Sequence, residues 1–132
     1  MDDCIFCRIV KGEIPCYMIY ENEDVMCFLD VRQDFYGHTI VVPKKHYKNT
    51  LDCDEDVLHK VISAVQKVSK HYVENCGIKG AVIINNNNKE GDQSVFHLHY
   101  HIIPRMSADE EKDPIPGSIK IDLADQQRHL SL

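Results

Sequence analysis

With 132 residues, 43% hydrophobic and 27% charged, the chain is expected to fold as one soluble globular domain and not to remain disordered. Its net charge of −6 argues against nonspecific binding to nucleic acid, which needs a basic face, yet leaves room for a small anionic ligand read by a local field. The longest apolar runs are a few residues, so no membrane span is expected, and the acidic N-terminus without a signal-peptide pattern points to the cytoplasm.

Six cysteines in such a chain read as reduced thiols or metal ligands, not as a disulfide framework. Cys4 and Cys7 form a Cys-x-x-Cys pair, which alone is as compatible with packing as with a metal, because no second pair follows at finger spacing. Residues 17–30, "YMIYENEDVMCFLD", predict two strands around a polar turn at 21–24. His38–Pro43 is a short β-branched run that proline should close. Asp52-Cys53-Asp54-Glu55 offers a capping-box-like start to one long helix. Leu58, Val61, Ile62, Val65, Val68, Tyr72 and Val73 recur at three and four residues to give it an apolar face, and Gly77 is placed to stop it. Gly80–Asn85 reads as a buried strand, the polar loop "NNNNKEGDQ" follows, and Val95–Ile103 reads as the last strand. After Arg105 the acidic, proline-containing "MSADEEKDPIPG" is expected to be a loop or tail. Short strands, one long helix and further strands together predict an α+β fold with an antiparallel sheet.

The last predicted strand carries "FHLHYHIIPR", with histidines at 97, 99 and 101. Strand residues two apart share a face, so these three imidazoles would line one side while Phe96, Leu98, Tyr100 and Ile102 meet the helix on the other. They could simply line a wet sheet face, but threonine, lysine or glutamate would serve that purpose equally well. Residues four apart on a strand are separated by ~13 Å, whereas zinc holds its nitrogens at ~2.0–2.1 Å. Two of the three histidines could share a metal, and all three could not. At least one is left for other work, and a neutral imidazole whose far nitrogen donates to a carbonyl is equipped to attack phosphorus.

"HLHYHIIPR" resembles the His-φ-His-φ-His-φ-φ signature of the histidine triad (HIT) nucleotide-binding proteins, in particular their bacterial and Hint-like branch. "CIFCRIVKGEIP" (4–15), "FLDV" (28–31), "GHTIVVPKKH" (37–46) and "DQSVFHLHYHIIPR" (92–105) follow the family pattern in order. The resemblance implies a HIT domain over 1–105, with 106–132 as its C-terminal extension. It also implies about five antiparallel strands, one long helix, a short N-terminal helix and a two-fold homodimer. By the same resemblance His99 is the nucleophile that becomes nucleotidylated at the α-phosphorus, with His101 and His38 beside it. Phe28, Asp30, Val31, Asn86, Gln93 and Ser94 would bind the nucleotide, Asp30 through the ribose hydroxyls. Cys4, Cys7, His46 and His97 would form a closed structural zinc site, with no organic cofactor. The remaining cysteines, at 16, 27, 53 and 76, are expected to be packing residues.

The expected activity is hydrolysis or transfer that releases AMP from phosphoramidates or dinucleoside polyphosphates. Two other readings stand beside it: a zinc-dependent hydrolase in which His97 and His99 share the metal, and a non-catalytic nucleotide sensor or partner-binding module. The family loop usually reads Asn-Asn-Gly-x-x-Ala-Gly-Gln, and here Asn88 and Asp92 stand where glycines are expected. Asparagine enters the left-handed region readily. A carboxylate at 92 would repel phosphate unless it points to solvent or pairs with a cation.

Overall fold

The computed structural model describes residues 3–33, 35–108 and 122–132. A short helix α1 (Ile5–Val10) is followed by strands β1 (Met18–Glu21), β2 (Val25–Leu29) and β3 (Thr39–Pro43), the long helix α2 (Glu55–Asn75), and strands β4 (Gly80–Asn85) and β5 (Tyr100–Arg105). A last helix, α3 (Leu123–Leu130), closes the chain. The five strands form one sheet in the order β1-β2-β3-β5-β4, with every neighbouring pair antiparallel. This is the α+β architecture the sequence predicts.

The β1–β2 turn closes because the Asn22 side chain mimics backbone. Its Oδ1 accepts from the amides of Asp24 and Val25, both at 2.9 Å. Alternation then sends side chains to two cores. Val25, Cys27, Leu29, Val41 and Ile102 face α2 and pack with Val61, Val65, Val68 and Tyr72. Met26, Phe28, Ile40 and Val42 face the other way and pack with Phe6 and Ile9 of α1. All residues of β2 and β3 are therefore buried, whichever face they occupy.

Several sequence expectations are corrected. Asp54 caps α2 without a side-chain capping bond, since its carboxylate accepts from the Tyr47 hydroxyl at 3.0 Å instead. Ile62 and Val73 lie off the buried stripe, each one residue, and so about 100°, beyond Val61 and Tyr72. Gly77, at φ +79°, does end the helix, and the Ile78 amide turns back to the Tyr72 carbonyl. β4 is an edge strand, and Ala81, Val82 and Ile83 are exposed on the single chain, contrary to the reading of a buried strand. β5 begins at Tyr100 and not at 95, because residues 95–97 bend and the Leu98 amide donates to the Tyr47 carbonyl at 2.7 Å. Phe96 consequently turns out to solvent, 45% exposed, where the strand reading placed it against the helix.

Most of the acidic stretch after Met106 lies outside the described residues, but α3 beyond it was not anticipated. Its start is chemically ordinary: the Asp122 carboxylate accepts from the Asp125 amide. The helix returns to the sheet, where Gln127 donates to the Met18 carbonyl and the Leu132 amide to the Ile19 carbonyl, both at 3.0 Å. Gln126 accepts from the Gly37 amide at 2.9 Å, and Leu130 is fully buried over Gly37. Among the described residues no helix is long and apolar enough to cross a membrane.

Candidate active site

The three triad histidines do share one side of the sheet, although only His101 lies within a regular strand. Phe6 of α1 meets both His97 and His99 edge-on, with ring centroids 5.8 and 5.1 Å away. Their hydrogen bonds divide their labour. The His99 Nδ1 lies 2.8 Å from the His97 carbonyl oxygen, which can only accept, so Nδ1 carries the proton and Nε2 keeps its lone pair. In the same way His97 Nε2 donates to the Pro43 carbonyl at 2.9 Å, leaving the Nδ1 lone pair available to accept or to ligate. His101 Nδ1 pairs with His38 Nε2 at 2.9 Å, and His38 Nδ1 stands 3.9 Å from the Asp30 carboxylate. Asp30, His38 and His101 thus form a cluster next to His99.

Burial favours the neutral form of His99 and His101. It pushes His101 down to about 4, helped by the neighbouring His99 and His38. Burial also lowers His99, against the opposing pull of its bond to the His97 carbonyl. A neutral imidazole with a bound Nδ1 proton is the nucleophilic form.

His97 Nδ1 faces a second group. It lies 3.4 Å from Cys4 Sγ, 3.5 Å from Cys7 Sγ and 3.1 Å from His46 Nδ1, while Cys7 Sγ lies 3.2 Å from His46 Nδ1. The four donor atoms all fall within 4.8 Å of one another. A tetrahedral zinc would space two such sulfurs and two such nitrogens ~3.3–3.8 Å apart, so these residues fit a Cys2His2 ion. The bond to the Pro43 carbonyl is of the kind that would orient His97 if it held a metal. His99 is outside the set, which counts against a zinc shared by His97 and His99.

A cleft of about 320 Å³ opens beside His99 and His101. Phe28, Asp30 and Val31 line it from β2 and the following turn, Ser94 from the loop before the triad, and Phe6 and Ile9 from α1. Val31 is the outer lip, 71% exposed, and Phe28 is buried in the wall. The α1 contribution escaped the sequence reading, although Ile5, Phe6 and Ile9 show the helical spacing of an apolar face.

Asn86 and Gln93 do not line this cleft; they brace the loop behind it. Asn86 donates to the Gly91 carbonyl at 2.8 Å. The buried Gln93 amide accepts from the Asn88 amide and donates to the Lys48 and Val95 carbonyls. Asn88 and Asp92 both have φ +66°, the backbone region that glycine would occupy without cost. The Asn88 side chain is tied down by Asn49 at 2.8 Å, and Asp92 is exposed to solvent.

Comparison with known proteins agrees with this geometry. The family model described as HIT domain matches residues 11–108. An uncharacterised HIT-like protein of Methanocaldococcus jannaschii is 44% identical over 108 residues, covering 82% of this chain and 83% of that one. An adenosine 5′-monophosphoramidase of Schizosaccharomyces pombe is 35% identical over 102 residues, covering 77% and 74%. The crystal structure of a zinc-bound histidine triad family protein from Mycobacterium smegmatis superposes with a TM-score of 0.86 at 31% identity, covering 98% and 91%. An ordered histidine triad, the five-stranded sheet that carries it and these likenesses over most of the chain lead to one conclusion: the protein belongs to the HIT domain family.

Proposed function

We propose that the protein is a purine-nucleotide hydrolase or nucleotidyl transferase that acts at the α-phosphate and releases a nucleoside monophosphate through a nucleotidylated His99. The observation that carries this reading is the 2.8 Å bond from His99 Nδ1 to the His97 carbonyl, which fixes the nucleophilic tautomer beside an apolar cleft. The likeness to an adenosine 5′-monophosphoramidase supports a phosphoramidate substrate and an adenine base.

In this reading the base lies against Phe28 and Phe6, and Asp30 accepts from the ribose hydroxyls. The His99 Nε2 lone pair forms a bond to the α-phosphorus as the bond to the leaving nitrogen breaks. The departing nitrogen takes up the proton that the His38–His101 pair carries once phosphate charge is bound beside it. Water then attacks the same phosphorus, the phosphorus–nitrogen bond to His99 breaks, and the water proton returns to the His38–His101 pair. Ser94 and neighbouring loop amides stabilise the phosphate oxygens.

The Cys4, Cys7, His46 and His97 set is read as a structural zinc site. Zinc bound there supplies a cross-link from α1 to the segment leading into the triad. A homodimer is also part of the proposal, supported by the exposed apolar residues on the open edge strand β4.

The decisive experiment compares AMP release from adenosine 5′-phosphoramidate by the native protein and by His99→Ala, with acid quenching to trap the protein-bound nucleotide. Expected are a loss of at least ~10³-fold and disappearance of the adduct in a variant that melts normally. Equal turnover by the folded variant would overturn the assignment.

A further inference from the structure

Strand β2 ends at Leu29 and β3 starts at Thr39, so the turn between them carries both the Asp30 carboxylate and the His38 imidazole. Backbone closes its mouth, the Asp30 amide donating to the His38 carbonyl at 2.9 Å. A single carboxamide then bridges the turn. Gln33 Nε2 donates to the Asp30 carbonyl at 2.6 Å and to the His38 carbonyl at 3.0 Å, and Gln33 Oε1 accepts from the Gly37 amide at 3.1 Å. Both hydrogens and the oxygen of the carboxamide are thus engaged by the main chain around two site residues. Methionine would match its length without its donors, and glutamate would set a carboxylate against two carbonyl oxygens.

The two ends of the turn depend on Gln33 unequally. On the His38 side, Gln126 of α3 also accepts from the Gly37 amide, at 2.9 Å. Thr39 Oγ1 donates to the Gly37 carbonyl at 2.7 Å and meets the buried Tyr72 hydroxyl of α2 at 2.6 Å. The His38 end is therefore gripped by two helices whatever residue 33 is. The main chain of Asp30 is held, among the described residues, by the hydrogen bond of its amide to His38 and by that of Gln33 to its carbonyl. The Asp30 carboxylate follows this main chain closely, because Oδ1 accepts from the Arg32 amide at 2.9 Å. Asp30 lines the nucleotide cleft and Gln33 does not, so Gln33 can act on a ligand only through what it holds.

We infer that Gln33 is a positioning residue: it sets the Asp30 carboxylate where ribose hydroxyls reach it, and so makes the site select ribonucleotides over nucleotides without 2′ and 3′ hydroxyls. The inference rests on the reading of Asp30 as the ribose acceptor.

The test measures by calorimetry the Kd of AMP and of 2′,3′-dideoxy-AMP for the native protein, Gln33→Met, Gln33→Asn and Asp30→Ala, each checked by its melting point. Binding of these monophosphates requires no turnover, so the result is independent of the chemistry assigned to His99. The native protein should prefer AMP by roughly tenfold or more, as hydrogen bonds to a carboxylate allow, and Asp30→Ala should abolish the preference. Gln33→Met should shrink it by roughly three- to tenfold through weaker AMP binding, with the dideoxy Kd nearly unchanged. Gln33→Asn keeps the carboxamide one methylene short and should shrink the preference less; it carries the test if Gln33→Met does not fold. A preference that the folded Gln33 variants leave intact would overturn the role, as would equal weakening of both nucleotides, the mark of a merely structural residue. Equal binding of the two nucleotides by the native protein would remove Asp30 from the ribose and this inference with it.

Discussion

Gly37 precedes His38, and replacing it with alanine probes how tightly the C-terminal helix is built into the site. Its φ of +77° lies in the left-handed region, where a side chain costs ~1–2 kcal/mol. A Cβ there would stand 2.9 Å from Leu130 Cδ1 and 3.0 Å from Pro104 Cγ, inside the contact distance that real Cβ atoms keep. Leu130 is fully buried and the proline ring is rigid, so overpacking adds ~1–3 kcal/mol. Reduced freedom of the unfolded chain returns ~0.4–1 kcal/mol. The expected net loss for Gly37→Ala is therefore about 2–4 kcal/mol, or a melting point lower by ~7–14 °C at ~2.1 cal/mol/K of unfolding entropy per residue. Gly12→Ala is the control. Its φ is +81°, but nothing lies within 4 Å of the added Cβ, so only the ~1 kcal/mol conformational cost should remain. Urea unfolding of both variants by circular dichroism separates the two contributions. Equal losses in the two would refute the claim that α3 is packed against the His38 segment.

Two other outcomes follow from the site. Cys7→Ser should abolish tight zinc binding, read as metal content by mass spectrometry after dialysis, and lower the melting point; undiminished zinc in the variant would end the Cys2His2 assignment. His101, pushed down to about 4 by burial, is neutral in the fold at pH values where the unfolded chain, with an ordinary value of 6.5, already binds a proton. The stability this contributes is fully present above pH 6.5 and is lost as pH falls towards 4. The melting point should decline over that window, and His101→Gln should flatten the decline; an identical pH dependence in the variant would argue against a buried neutral imidazole.

Much of this architecture was legible from local pattern. The Asn22 turn, the proline that ends β3 and the Val61–Tyr72 stripe each depend on a few neighbouring residues, and each formed as expected. The alternation of the triad put three imidazoles on one side, as the structure has them, whereas the donor-distance limit said only that all three could not share one metal; setting His97 apart from His99 and His101 came with the family resemblance. What failed was set at long range. Whether β5 starts at 95 or at 100 depends on the Leu98 amide finding Tyr47, about fifty residues away, and no local periodicity carries that contact. β4 has the composition of a covered strand but sits at a sheet edge. The helix α3 is short and follows an acidic stretch, so its anchoring through Gln126 and Leu130 could not be seen without the partner segment at Gly37.

The return of the C-terminus to β1 also settles how the sheet can grow. The outward Ile19 carbonyl is taken by the Leu132 amide and that of Met18 by Gln127, so this margin is spent on the chain's own tail. Among the described residues no strand lies beyond β4, the opposite margin. A sheet with one sealed and one open margin can be extended only once. Two copies joined through β4 would present sealed margins at both ends, giving a closed pair and not the head-to-tail stacking from which fibres grow.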